Sequence, residues 1–278
     1  MSIMAHLHSN LSDGLLTRYD ICLLAGQTHI LCFCDHNILP SPREEAALQA
    51  AFPHKEFPLC TEISCRYQDG ARLREVHVLG FGLTRSVELE EFLARHHLSE
   101  EASCAYVTEI IRQLHRLGIP FQGDFHTLRA IYPRPAHITR GKVAGEMIRQ
   151  GLVPNRDAAY DLIGDDGPAY VEKTLSHFHT LEETLDIIRR HNGCAVLAHP
   201  FSSKISDVAA LAAQFARCGG MALELNAKEP QRHPEVRALA QRLGLVLTYG
   251  NDFHRPGDPF LSHPADFYHD LMARRPAL

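Results

Sequence analysis

Short apolar and β-branched runs alternate with amphipathic helical stretches at both ends of the chain, and this alternation limits the fold more than any other feature. Residues 3–8 and 29–35 read as strands, with a helix over 17–27 between them. Ser41-Pro42-Arg43-Glu44 predicts a helix start, because Ser and Glu three apart form a capping box and Pro suits the first helical position. Residues 58–67 and 72–81 read as strands flanking the hairpin signal Asp69-Gly70. Thr180-Leu181-Glu182-Glu183 opens a helix that ends near Gly193. Strands over 194–198, 221–225 and 245–249 then alternate with helices over 207–218 and 234–243. The pattern predicts an α/β fold built on a mostly parallel sheet, open or closed into a barrel.

The middle of the chain differs. From about residue 86 to 166 the pattern is mainly helical, with helices expected over 99–117, 139–150 and 155–163. We expect an inserted helical subdomain over 96–173, capping one end of a sheet contributed by 1–95 and 174–278. Hydrophobic residues at 45% and charged residues at 22% suit a folded domain with a substantial core. The net charge of −5 argues against a broad electrostatic nucleic-acid binder, though not against a local phosphate pocket. No apolar run is long enough to span a membrane, and the opening Met-Ser-Ile-Met-Ala-His lacks the marks of a signal peptide. A cytoplasmic protein with no obligate protein partner is expected. The eight cysteines show no C-x-x-C spacing and lie mostly in apolar stretches, so they read as reduced, buried thiols.

Histidine is the anomaly: nineteen in 278 residues. His6 and His8 are two apart on the first strand, so their side chains share a face. Asp13 follows in the next loop, and Asp35-His36 ends the second strand. Glu62 lies in the third strand and His77 in the fourth. His199 ends Ala195-Val196-Leu197-Ala198, and Asp252 and His254, again two apart, follow the strand ending at Gly250. Most of these fall near C-terminal ends of expected strands, where α/β barrels build active sites. Imidazoles and carboxylates without thiolates suit Mn²⁺, Fe²⁺ or Zn²⁺. Six His and three acids suffice for two or three ions, since one ion rarely takes more than four such ligands.

These residues resemble a known family. His6-Leu7-His8-Ser9, Ser12-Asp13-Gly14, Cys34-Asp35-His36, Thr61-Glu62-Ile63, Val76-His77-Val78-Leu79-Gly80, Ala198-His199-Pro200 and Gly250-Asn251-Asp252-Phe253-His254 look like the ordered motifs of the PHP (polymerase and histidinol phosphatase) superfamily. Arg134-Pro135-Ala136-His137-Ile138-Thr139-Arg140, Gly151-Leu152-Val153 and Gly167-Pro168-Ala169-Tyr170-Val171 resemble the helical insert of its YciV/TrpH-like phosphoesterases. The resemblance implies a distorted seven-stranded β/α barrel with a trinuclear metal site. It assigns one ion to His6, His8, Glu62 and Asp252, a second to Glu62, His77 and His199, and a third to Asp13, His36 and His254. The family usually has an acid just before its H-x-H motif. Ala5 stands there in this chain, so a partner for a ligating imidazole is expected to be missing. Asp35 is expected to act as a hydrogen-bond acceptor behind the ligands.

The implied chemistry is phosphoester hydrolysis by metal-activated hydroxide attack on phosphorus, with Asp13, His36, Glu62, His199 and Asp252 as catalytic residues. Arg134, His137, Arg140 and Lys173 are expected to clamp the phosphate, Arg140 by a bidentate contact. The proton donor to the leaving oxygen lies between His179 and metal-coordinated water. His96-His97 reads as solvated, and His177 and His179 have ligand spacing but lie in a junction. Asn226 and Lys228 sit at the catalytic rim, either to touch substrate or to cap the next helix. The expected substrate is small and phosphorylated: a nucleotide, a nucleoside bisphosphate, the 5′ end of a short oligonucleotide, or a cyclic phosphate. Two alternatives stand beside this. One is a metal-dependent amidohydrolase, which usually needs a carboxylated lysine at a strand end, where none is evident here. The other is a non-catalytic metal-binding module.

Overall fold

The computed structural model describes residues 1–96, 100–132, 138–164, 167–171, 178–202 and 204–275. The chain falls into two compact units, Met1–His96 with Leu175–Leu278, and His97–Thr174.

In the larger unit the strands are β1 (Ser2–Leu7), β2 (Ile30–Phe33), β3 (Thr61–Asp69), β4 (Arg72–Phe81), β5 (Cys194–Leu197), β6 (Ala222–Asn226), β7 (Val246–Gly250) and the short β8 (His263–Pro264). Its helices are α1 (Arg18–Leu24), α2 (Pro42–Ala51), α3 (Val87–Ala94), α8 (Leu181–Arg190), α9 (Val208–Arg217), α10 (His233–Leu243) and α11 (Asp266–Ala273). The strands form two sheets, ordered β2-β1-β8 and β3-β4-β5-β6-β7. Isolated parallel bridges link the two at both seams, His36 to Glu62 at one and Leu7 to Phe253 at the other. The architecture is thus α/β, with the candidate residues concentrated along those seams.

Local sequence explains most boundaries. Ser41, Thr17 and Thr180 each cap a helix and are capped in return by an acid three residues on. Gly244 ends α10 in the left-handed conformation that glycine adopts without strain. The parallel reading holds for β1–β2 and β5–β6–β7 but fails elsewhere: β3–β4 and β4–β5 are antiparallel, as is β1–β8. The Asp69-Gly70 turn makes β3–β4 a hairpin, so Glu62 lies near the start of its strand and not at a C-terminal end. The hairpin then runs on past that level.

Two apolar layers cover the larger sheet. One joins Ile63, Val78, Leu197, Leu223 and Leu225 to α3, α8, α9 and α10. The other packs Ala5, Cys32, Cys34, Cys60, Leu79, Val196 and Ala222 against Tyr268 and Leu271 of α11. All eight cysteines are free thiols; six are buried, and Cys104 and Cys218 are partly exposed.

The smaller unit contains α4 (Glu100–Arg116), α5 (Phe125–Ile131), α6 (Arg140–Arg149) and α7 (Arg156–Ile163). Its own core joins Val107, Ile110, Ile111 and Leu114 of α4 to Phe125, Leu128, Val143, Met147 and Ile163. Among the described residues no helix is long and apolar enough to cross a membrane.

Candidate active site

The site begins with an irregularity in β1. His6 adopts a left-handed backbone at φ 58°, and the pairing with β2 slips between Met4 and Leu7. A regular strand would bring residues 6 and 8 to one face by alternation alone. Here the strand is bulged and His8 lies beyond it, yet the two rings still converge, 5.0 Å between centroids. His199 and Asp252 also carry positive φ, 25° and 49°. Such backbone costs on the order of 1–3 kcal/mol per residue and tends to gather at functional sites.

The loop after β1 is held from behind. Asp35 is wholly buried and accepts hydrogen bonds from the Ser9 amide, the Ser9 and Ser12 hydroxyls, and the Arg18 guanidinium. Burial would raise the Asp35 carboxyl, but Arg18 holds it below its usual value. Asp35 therefore organises the Ser9–Asp13 loop and does not partner a ligating imidazole through the hydrogen bonds it makes. Gly14 completes this loop: a Cβ there would overlap the His8 carbonyl.

Glu62 is the centre. Its carboxylate is fully buried and ringed by five imidazoles: His6 at 3.2 Å, His8 at 3.1 Å, His36 at 3.3 Å, His77 at 2.9 Å and His199 at 3.0 Å. Burial alone would raise this carboxyl; His36, His6, His77 and His199 reverse that and hold it well below the usual range. Asp13 lies 3.2 Å from His254, 3.7 Å from His8 and 3.8 Å from His36. Asp252 Oδ1 lies 3.4 to 3.7 Å from His6, His8 and His254. Burial and repulsion from His254 push His8 down to about 3, so it is a neutral imidazole with a lone pair to give. Burial opposes ionisation of His77, but the Glu62 carboxylate carries it up to about 10.

These side chains form four overlapping sets whose donor atoms lie within 4.8 Å of one another: His8, Asp13, His36 and His254; His6, Glu62 and His199; His6, His8 and Asp252; His36, Glu62 and His77. The test of fit to metal is the buried atoms left without hydrogen bonds. Both His8 nitrogens, Asp13 Oδ1 and His77 Nδ1 are such atoms, all pointed into the cluster. Unpaired buried donors and acceptors are costly, and a cation that accepts lone pairs from several of them removes the cost. The buried His, Glu and Asp clusters are consistent with a site for more than one metal ion. All nine residues singled out from the sequence as ligands are here together. The groupings differ from the expected ones. His8 falls with Asp13, His36 and His254 as well as with His6 and Asp252, and Glu62 is not in the His6, His8 and Asp252 set. His199 and His77 separate, His199 sitting with His6 and His77 with His36, each pair sharing Glu62.

Sequence reasoning missed Glu224. It lies on β6, buried, with Oε1 2.6 Å from His6 Nδ1 and Oε2 accepting the His199 amide at 2.9 Å. The partner expected to be absent because of Ala5 is therefore present, supplied by a strand 218 residues away. The available signal was an acid amid the apolar Ala222-Leu223-Glu224-Leu225. Lys228 Nζ lies 3.1 Å from Asp252 Oδ2, whereas Asn226 Oδ1 accepts the Lys228 amide and shapes the turn after β6.

Other expectations need correction. His96 is buried, not solvated, and its ring packs near Phe92, Phe178 and His179. His179 stacks on Phe92 at 3.6 Å and lies 3.2 Å from the Phe92 carbonyl, so its ring neighbours are not the clustered imidazoles. Arg134, His137, Lys173, His97 and His177 lie outside the described residues. Arg140 is described within the smaller unit: it donates to Tyr106 Oη at 3.0 Å and to the Val171 carbonyl at 2.8 Å, over the Tyr170 ring.

Fold and site together define an α/β protein with a shared His/Asp/Glu donor cluster able to take several metal ions. No family model matches the chain. It is similar, at 26% identity over 262 residues, to the 5′-3′ exoribonuclease Rnm of Salmonella typhimurium, covering 90% of this chain and 84% of that protein. It is also 26% identical over 265 residues to the 3′,5′-nucleoside bisphosphate phosphatase of Chromobacterium violaceum, covering 92% and 88%. Two solved structures share the fold. A Chromobacterium violaceum protein described as an amidohydrolase matches with a TM-score of 0.81 at 24% identity, over 99% of this chain and 98% of that one. A Bifidobacterium adolescentis protein assigned as a metal-dependent phosphoesterase matches with a TM-score of 0.75 at 19% identity, over 99% and 97%. Over about nine-tenths of its length the chain is thus similar to a 5′-3′ exoribonuclease and to a 3′,5′-nucleoside bisphosphate phosphatase.

Proposed function

We propose that the protein is a metal-dependent phosphoesterase acting on a nucleotide phosphate, either a nucleoside 3′,5′-bisphosphate or the 5′ end of a short RNA. The observation that carries this reading is the Glu62 carboxylate, buried among five imidazoles beside Asp13, His254 and Asp252. So many ionisable groups packed in one place call for compensating cations. We assign His6, His8, Asp13, His36, Glu62, His77, His199, Asp252 and His254 as ligands of two or three divalent ions, Mn²⁺, Fe²⁺ or Zn²⁺. Such ions, when bound, supply Lewis acidity that activates water near neutral pH and offsets charge on phosphate oxygens. Glu62 holds the donors of neighbouring positions together, since its two oxygens face different histidines. Asp13 and Asp252, like His36 and His77, are partly exposed, and Lys228 adds positive charge beside Asp252. That is the arrangement for receiving an anionic ester. The distorted seven-stranded barrel belongs to the same reading, with the bridges at Glu62 and Phe253 as its seams. Arg134, His137, Arg140 and Lys173 are retained as phosphate-binding candidates, with Arg140 weakened by the hydrogen bonds it already makes. The acidic net charge favours a small substrate over long nucleic acid.

The deciding experiment measures phosphate release from mononucleotides, 3′,5′-bisphosphates, short oligonucleotides and cyclic phosphates. The enzyme is stripped of metal and reloaded with Mn²⁺, Fe²⁺ or Zn²⁺, beside His8→Ala. Metal-dependent turnover that His8→Ala loses by at least about 100-fold supports the reading. Absence of turnover on every phosphoester, with metal bound, overturns it, and hydrolysis of amides instead would point to the amidohydrolase alternative.

A further inference from the structure

Glu224 is an acid placed where strand β6 is otherwise apolar, and both its oxygens are engaged. Oε1 lies 2.6 Å from His6 Nδ1. Oε2 accepts the backbone amide of His199, the residue whose φ is 25°. Asn226 Nδ2 lies 3.4 Å from the same oxygen. The carboxylate also requires a gap in the neighbouring strand: a Cβ on Gly250 would overlap Glu224 Oε1. Position 250 therefore lacks a side chain where the acid must pass, two residues before Asp252.

We propose that Glu224 is a positioning residue that sets the tautomer of His6 and ties the His6 and His199 donors into one frame. This rests on reading the cluster as a metal centre. A carboxylate against Nδ1 keeps the proton on Nδ1, which leaves the Nε2 lone pair directed at the space shared with Glu62 and Asp252, 3.2 and 3.7 Å away. Through its other oxygen the same carboxylate fixes the strained backbone that aims the His199 ring at Glu62. One side chain thus aligns ligands from the first strand and from the end of β5.

Glu224→Gln tests this with little change of shape. The His199 amide needs an acceptor, so the Gln carbonyl takes that place and the Gln NH₂ faces His6 Nδ1. Two donors then meet unless His6 moves its proton to Nε2, where it blocks ligation. The expected result is Zn²⁺ affinity weakened by about 10- to 100-fold in competition with a chromophoric chelator. The expected ¹⁵N spectrum of the histidine-labelled, Zn²⁺-loaded parent shows His6 protonated at Nδ1, and Glu224→Asp restores part of the affinity. A purely structural Glu224 would lower the melting temperature of Glu224→Gln and leave Zn²⁺ affinity unchanged, which overturns the proposal. His6 protonated at Nε2 in the parent also overturns it, and this measurement stands even if the variant does not fold. Neither readout needs substrate, so a failure here is separable from a failure to find phosphoesterase turnover.

Discussion

Removing divalent metal should destabilise the larger unit far more than loss of a surface ion would. Four buried atoms in the cluster, His8 Nδ1 and Nε2, Asp13 Oδ1 and His77 Nδ1, make no hydrogen bond. At about 1–3 kcal/mol for each buried group left unpaired, roughly 4–12 kcal/mol is the ceiling on unmet desolvation, because His8 Nε2, Asp13 Oδ1 and His77 Nδ1 each face an ionisable partner at 2.9 to 3.2 Å. Total folding stability is typically only about 5–15 kcal/mol, so the debt is large. Proton uptake by the imidazoles offsets some of it in the metal-free protein. The recoverable part is set by mass action: an ion at about 1,000 times its Kd adds about 4.1 kcal/mol. In a unit of this size each kcal/mol moves the melting temperature by about 2–4 °C, giving an expected rise of about 8–16 °C on reloading. The assay is thermal unfolding by circular dichroism, comparing chelated protein with protein given Mn²⁺ or Zn²⁺, and His8→Ala under both conditions. A rise below about 2 °C in the parent would refute the reasoning. So would an undiminished rise in His8→Ala, because that variant lacks two of the four atoms.

Three further outcomes follow from the geometry. Gly14→Ala drives a Cβ into the His8 carbonyl and should cost about 1–3 kcal/mol in urea unfolding; an unchanged midpoint would mean the Ser9–Gly14 loop shifts freely. Asp35→Ala leaves the Arg18 guanidinium and the Ser9 amide without their buried acceptor and should cost about 3–5 kcal/mol, a reading that a loss under about 1 kcal/mol would sink. Glu146, buried on α6, is held below its usual value by Arg149 first and by Gln150. A carboxyl depressed in the folded state contributes stability above its unfolded pKa, and that contribution is lost as pH falls through the folded value. The smaller unit should therefore weaken on acidification below about pH 4.3, and Glu146→Gln should flatten this dependence in pH-resolved urea melts; identical pH profiles would contradict it.

Much of the local structure was legible in the chain itself. Capping boxes at Ser41 and Thr180 and the hairpin at Asp69-Gly70 are decided by side chains within a few residues of one another, so short-range chemistry suffices. The nine candidate ligands were legible too, because imidazoles and acids at paired spacing around apolar strands are costly unless something recruits them. Strand direction was not legible. Apolar runs look alike whether a strand pairs parallel or antiparallel, and β4 is antiparallel to both neighbours. His96 and His179 were misjudged or left open for a related reason: their stacking partners come from contacts between separate segments.

The sequence alone determined which side chains form the donor cluster and where most helices begin, since both depend on residue type and short spacing. Only the tertiary structure decided how those donors face one another. The bulge at His6, the left-handed backbone at His199 and Asp252, and the grouping of His199 with His6 are properties of packed strands. The orienting carboxylate behind His6 was likewise hidden, because Ala5 is its neighbour in the chain and Glu224 its neighbour in space. Hydrogen bonding acts over about 3 Å, and sequence separation carries no record of that distance.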